Sequence, residues 1–172
     1  LHLSTRRQRQ MCIRDSKPGD RVAVYMRNCP EYLIAFYGIW SMGAVILPIN
    51  SKLHTKEVGW ILENAACSYV LCEESSISEI NFPGVTVFNP KWQQFDSNIH
   101  IPPVKRSSTD LAWLFYTSGT TGRPKGVMIT HGMIKTMALS YFADVDQVHP
   151  SDTTLYACLL YTSDAADEWI GG

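Results

Sequence analysis

The chain is 172 residues long, with 15 Lys plus Arg against 16 Asp plus Glu and a net charge of −1. That length suits a single domain, and 45% hydrophobic against 18% charged residues supplies a core, which excludes a disordered tail. Near-neutrality excludes nucleic-acid binding driven by bulk charge, and no apolar run approaches the ~20 residues of a membrane span.

Residues 1–16 (LHLSTRRQRQMCIRDS) hold four Arg and no apolar periodicity. An Arg-rich targeting segment and a solvated charge run are two readings. The strings RQRQMCIRDS here and CLLYTSDAADE near the other end resemble a third, translated sequencing-adapter read-through. The expectation is a non-native segment at 1–16, a genuine stretch at 17–158 and a non-native tail at 159–172. Opening on Leu1, the sequence also predicts a natural start further upstream.

Lys17-Pro18-Gly19-Asp20 is a turn by composition. Residues 21–26 (RVAVYM) alternate as a strand, with Val22, Val24 and Met26 on one side. Asn28-Cys29-Pro30 marks a helix start. Leu33, Phe36, Tyr37 and Trp40 give that helix an apolar face, and Gly43 suits the left-handed residue that ends it. Residues 44–49 (AVILPI) form a strand whose Pro48 belongs at a strand end or a sheet edge. Thr55 is placed as the cap of a second helix that buries Val58, Ile61, Leu62 and Ala65. Strands follow at 69–72 and 85–88. Strands alternating with helices predict an α/β fold, a mostly parallel sheet with helices on both faces.

Residues 89–109 are polar, contain Pro90, Pro102 and Pro103, and read as a long surface connection. Residues 111–117 and 127–129 are the last two strands. Thr130 then caps a helix with Met133, Ile134, Met137 and Tyr141 at helical spacing. Trp113 and Phe115 read as core, His131 as structural, and Asp110 and Asp152 as turn residues. His54, His100 and His149 lack metal-ligand spacing. The five cysteines (Cys12, Cys29, Cys67, Cys72 and Cys158) form no C-x-x-C pair, so they read as buried thiols of a reducing, cytoplasmic compartment.

Between the last two strands lies the segment richest in chemistry, residues 116–126 (YTSGTTGRPKG). Glycines bring backbone N–H groups close to an anion. Ser and Thr hydroxyls reach phosphate oxygens or a divalent cation, and Lys125 adds a mobile positive charge. These are the parts of a polyphosphate cradle. The common G-x-x-x-x-G-K-[ST] loop is excluded, because counting from Gly119 puts Pro124 where its second Gly is required. An inert Gly/Ser/Thr-rich hairpin loop is the competing reading.

The string YTSGTTGRPKGV resembles the phosphate-binding motif of the AMP-forming adenylating enzymes, a superfamily of acyl-CoA synthetases, peptide-synthetase adenylation domains and luciferases. GDRVAVYMRNCPEYLIAFYGIWSMGAVILPIN resembles that superfamily's N-terminal block, with Gly43-Ala44 and Pro48 at its small-residue strand start. LAWLFYTSGTTGRPKGVMITHG looks closer to acyl-CoA ligases than to peptide-synthetase domains.

The resemblance implies part of the N-terminal domain of the adenylate-forming fold. It also implies a parent enzyme that uses ATP and Mg2+ to activate a small carboxylic acid, then transfers the acyl group to coenzyme A. On the motif match, Ser118, Gly119, Thr120, Thr121 and Gly122 wrap the phosphates, and Lys125 supplies the counter-charge. Thr117 matches a position that helps hold Mg2+ in some relatives; a plain strand-end role is its alternative. The later motifs of the superfamily, its catalytic Lys among them, have no counterpart here, so the chain as it stands is expected to be inactive. A fragment of a peptide-synthetase adenylation domain and a non-catalytic phosphate-binding module are the other readings.

Overall fold

The computed structural model describes residues 16–78, 80, 82–88, 102–117, 124–145, 149 and 151–153. Strands β1 (Arg21–Tyr25), β2 (Val45–Pro48), β3 (Tyr69–Cys72), β4 (Thr86–Phe88), β5 (Leu111–Thr117) and β6 (Lys125–Thr130) form one sheet in the order β4-β3-β1-β2-β5-β6. Every neighbouring pair is parallel except β5–β6, which is an antiparallel hairpin. Three α-helices, α1 (Pro30–Ser41), α2 (Thr55–Asn64) and α3 (His131–Asp144), and a single 3-10 turn at Glu74–Ser76 complete the described elements.

Period-two alternation splits the central strands into two buried faces. Val22, Val24, Met26, Ile46 and Leu71 pack against Tyr32, Ala35, Phe36 and Ile39 of α1. Ala23, Tyr25, Val45, Leu47, Val70 and Cys72 pack against Val58, Ile61 and Leu62 of α2. Helices on both faces are what allow a parallel strand such as VILP to be buried along its whole length. Pro48 is the last residue of a central strand, so it sits at a strand end and not at the sheet edge.

Three expectations shift. The face of α1 is rotated: Tyr32, Ala35 and Ile39 are buried, while Leu33 and Tyr37 are exposed. Leu33/Phe36/Tyr37/Trp40 and Tyr32/Ala35/Phe36/Ile39 share helical spacing, and only the sheet decides between them. The cap of α2 is His54, one residue before Thr55. Its Nδ1 accepts the Lys56 N–H at 3.2 Å, while Glu57 Oε2 accepts the His54 N–H at 3.2 Å. On α3, Met133, Met137 and Tyr141 are exposed among the described residues and Ile134 is half-buried. Cys67 and Cys72 are buried as expected; Cys29, at the start of α1, is only partly so.

Gly43 adopts φ +73° after the end of α1. A Cβ there would also come within 3.0 Å of Val104 and Arg106, so the position excludes side chains on two grounds. Val104 belongs to the connection that brings the chain back to β5, and its N–H donates to the Ser41 carbonyl at 2.8 Å. Trp40 Nε1–H donates to the Ala112 carbonyl at 2.8 Å, fastening α1 to β5. Most of the connection, residues 89–101, lies outside the described residues.

Candidate functional site

Because β1 to β5 run parallel, their carboxyl ends share one edge of the sheet, the edge where ligands bind in open α/β folds. The β5–β6 hairpin turns at that edge. Its last register pair is Thr117 opposite Lys125, so the two described members of the predicted cradle face each other across the mouth of the turn. By alternation both lie on the face that carries Trp113 and α1. Lys125 is exposed. Ser118, Gly119, Thr120, Thr121 and Gly122 fall outside the described residues.

Tyr116 lies on the opposite face, which is covered by α2. Its hydroxyl donates to Asn64 Oδ1 at 2.6 Å, and its ring meets Trp60 edge-on with centroids 6.1 Å apart. Across the hairpin Tyr116 pairs with Gly126, where an added Cβ would approach the tyrosine ring at 3.2 Å. The glycine of the P-K-G segment therefore leaves room for the Tyr116 ring. Burial raises the Tyr116 phenol above its ordinary range, so it stays a hydrogen-bond donor at neutral pH. Sequence reasoning passed over this tyrosine; its place one residue before the hydroxyl-rich run was the available signal.

β6 leads directly into α3. Thr130 caps the helix as expected, its Oγ1 accepting the Met133 N–H at 3.2 Å. The His131 N–H donates to the Asp110 carbonyl at 3.0 Å and the Gly132 N–H to the Ser108 carbonyl at 2.8 Å, pinning the helix start to the turn before β5. Asp110 shapes that turn by accepting the Ser107 N–H at 2.7 Å, and it pairs with Arg106 at 3.2 Å. Burial, reinforced by the Arg106 charge, lowers the pKa of His131. Its Nε2 is buried without a hydrogen-bond partner among the described residues.

Elsewhere on the carboxyl edge, Arg27 after β1 and Glu73 after β3 form a bidentate pair at 3.0–3.3 Å. The Arg27 hydrogen bond holds the Glu73 carboxyl below the usual range. Burial pushes the Cys67 and Cys72 thiols up to about 11, which removes both as nucleophiles. Among the described residues no group of three His, Cys, Asp or Glu could hold a metal ion. No helix among the described residues is long and apolar enough to cross a membrane.

Comparison with known proteins supplies the family. Residues 11–163 match the AMP-binding enzyme family. The chain belongs to it. A crotonobetaine/carnitine–CoA ligase of Salmonella arizonae is 33% identical to this chain, in a match covering 67% of the chain and 26% of the ligase. Among solved structures, the nonribosomal peptide synthetase FmoA3 in an AMPPNP-bound form superposes with a TM-score of 0.77 at 27% identity, covering 94% of this chain and 17% of that one. The inhibitor-bound N-terminal domain of FACL13 from Mycobacterium tuberculosis gives 0.72 at 31% identity, covering 84% and 39%. The chain thus spans about a quarter of the length of the curated relatives it matches. The six-stranded, mostly parallel sheet with its helices is the N-terminal architecture of the adenylate-forming enzymes.

Proposed function

We propose that this chain is the phosphate-binding part of an AMP-forming acid–thiol ligase. The parent would condense a carboxylate with ATP to give an acyl-adenylate and pyrophosphate, then transfer the acyl group to coenzyme A. One observation carries the reading: the hairpin sets Thr117 opposite Lys125 at the carboxyl edge, on either side of the hydroxyl- and glycine-rich run 118–122.

Attack of the carboxylate on the α-phosphorus places negative charge on departing pyrophosphate. Hydrogen-bond donors and a fixed cation at the β- and γ-phosphates stabilise that charge as it develops. Lys125 supplies the cation. Ser118, Thr120 and Thr121 supply hydroxyls, and Gly119 and Gly122 leave backbone N–H groups unobstructed. Thr117 is the proposed oxygen donor to Mg2+, which when bound neutralises phosphate charge. The identity to a CoA ligase supports coenzyme A as the acyl acceptor, and the reading carries a cytoplasmic location with it. The similarity to FmoA3 supports a second acceptor, a carrier-protein thiol, on the same adenylating chemistry.

The test is Mg·ATP binding to the 172-residue chain by calorimetry. Lys125→Ala is expected to weaken affinity about 10- to 100-fold, the range for a lost charge-assisted hydrogen bond. Equal affinity in the variant would remove the assignment. Carboxylate-dependent exchange of pyrophosphate into ATP is expected to be absent, and exchange above the Lys125→Ala background would show that the chain is catalytically sufficient.

A further inference from the structure

The hairpin that carries Thr117 and Lys125 lies toward one side of the sheet. Among the described residues β6 is the last strand of the sheet order, and its residues Lys125 to Met128 are exposed. β5 joins β2 through a single register pair, Ile46 opposite Trp113, well back from the mouth of the hairpin. The β5–β6 pairing sets the separation of Thr117 and Lys125, and a further contact is needed near that mouth to fix where the stem sits relative to the rest of the sheet. One side chain is placed to do so. Tyr116 precedes Thr117, pairs with Gly126 next to Lys125, and reaches across to α2 through the 2.6 Å bond to Asn64 and the edge contact with Trp60. α2 is itself fixed to the core by Val58, Ile61 and Leu62.

We propose that Tyr116 is a positioning residue: its hydroxyl on Asn64 and its ring over Gly126 tie the stem bearing Thr117 and Lys125 to helix α2, and so set the geometry of the nucleotide site. The role in binding rests on the function proposed above; the brace itself does not. Gly126 has a defined part in it, because a Cβ at that position would meet the ring at 3.2 Å and oblige it to shift by a few tenths of an ångström. Tyr116→Phe keeps the ring and removes the bond. Asn64→Ala removes the acceptor from the other side.

The experiment uses the 172-residue chain, the two single variants and the double variant, with two readouts. The first is amide hydrogen exchange. Each single variant is expected to speed exchange about 5-fold in the β5–β6 stem, the factor for one net hydrogen bond, with β1 and β3 unchanged. The double variant should do no more than either single one, since both remove the same bond. Wild-type stem rates, additive effects, or equal acceleration in β1 and β3 would overturn the brace. The second readout is Mg·ATP affinity, expected to fall about 5-fold in Tyr116→Phe and to return in no variant that lacks the hydroxyl. Faster stem exchange with unchanged affinity overturns the positioning role while leaving the function intact. A wild-type chain without Mg·ATP affinity overturns both the function and the positioning role, and the exchange data then report on the brace alone.

Discussion

The centre of the sheet and its β5–β6–α3 arm are both built from apolar sequence, yet burial treats them in opposite ways. β2 is VILP and every residue is buried; β6 is KGVMIT and its first four residues are exposed. The difference lies in what covers each strand. β1, β2 and β3 sit between α1 and α2, so each of their side chains finds a layer to pack against. Among the described residues β6 ends the strand order, and α3 has no buried residue. Hydrophobic stabilisation follows the area removed from water and not the composition of the strand. Among the described residues apolar burial is therefore concentrated in the centre, while the residues with the most chemical content sit at the mouth of the arm.

That contrast can be tested first where it is largest. Leu47 in β2 is fully buried, and Leu47→Ala is expected to cost about 3 kcal/mol in urea unfolding. Met128 in β6 is 68% exposed, and Met128→Ala should stay below about 0.5 kcal/mol. Similar losses at both positions would mean that the arm is as well covered as the centre. A smaller effect is expected at the junction between the regions. Gly43→Ala forces a left-handed backbone and crowds Val104 and Arg106, for a loss of about 1–2 kcal/mol in the same assay. A neutral or stabilising result would show that the connection before β5 yields freely.

The smallest effect is in the pH dependence of the arm. Burial and Arg106 depress the pKa of His131 in the fold, so the unfolded chain binds that proton more readily. Stability should then decline as pH falls through the ordinary histidine value of 6.5 and below. His131→Gln is expected to flatten the slope between about pH 7 and 5 in thermal melts. An unchanged slope would show that Asp110, whose charge acts in the opposite direction, balances the burial.

Much of the centre was legible from local pattern. Residues 69–72 and 111–117 are strands with the expected limits, and Val58, Ile61, Leu62 and Ala65 are the buried side of α2. Misreadings arose where two local solutions were equivalent. The two candidate faces of α1 are offset by one residue and are similarly apolar, and His54 competed with a more familiar capping residue in Thr55. At the site, the motif identified Thr117 and Lys125 but gave no sign of Asn64. That residue is 52 positions from Tyr116 and reaches it only because α2 crosses the sheet face beneath the hairpin.

The sequence by itself determined the order of strands and helices, the two-faced burial of the centre and the family resemblance carried by residues 116–126. These depend on period, turn chemistry and short-range spacing, all of which are written along the chain. Tertiary structure decided which side of α1 is buried, that β6 lies last among the described strands, and that Tyr116 is anchored to α2. Each of those is a choice among locally equivalent arrangements, and only contacts between residues distant in the chain distinguish them.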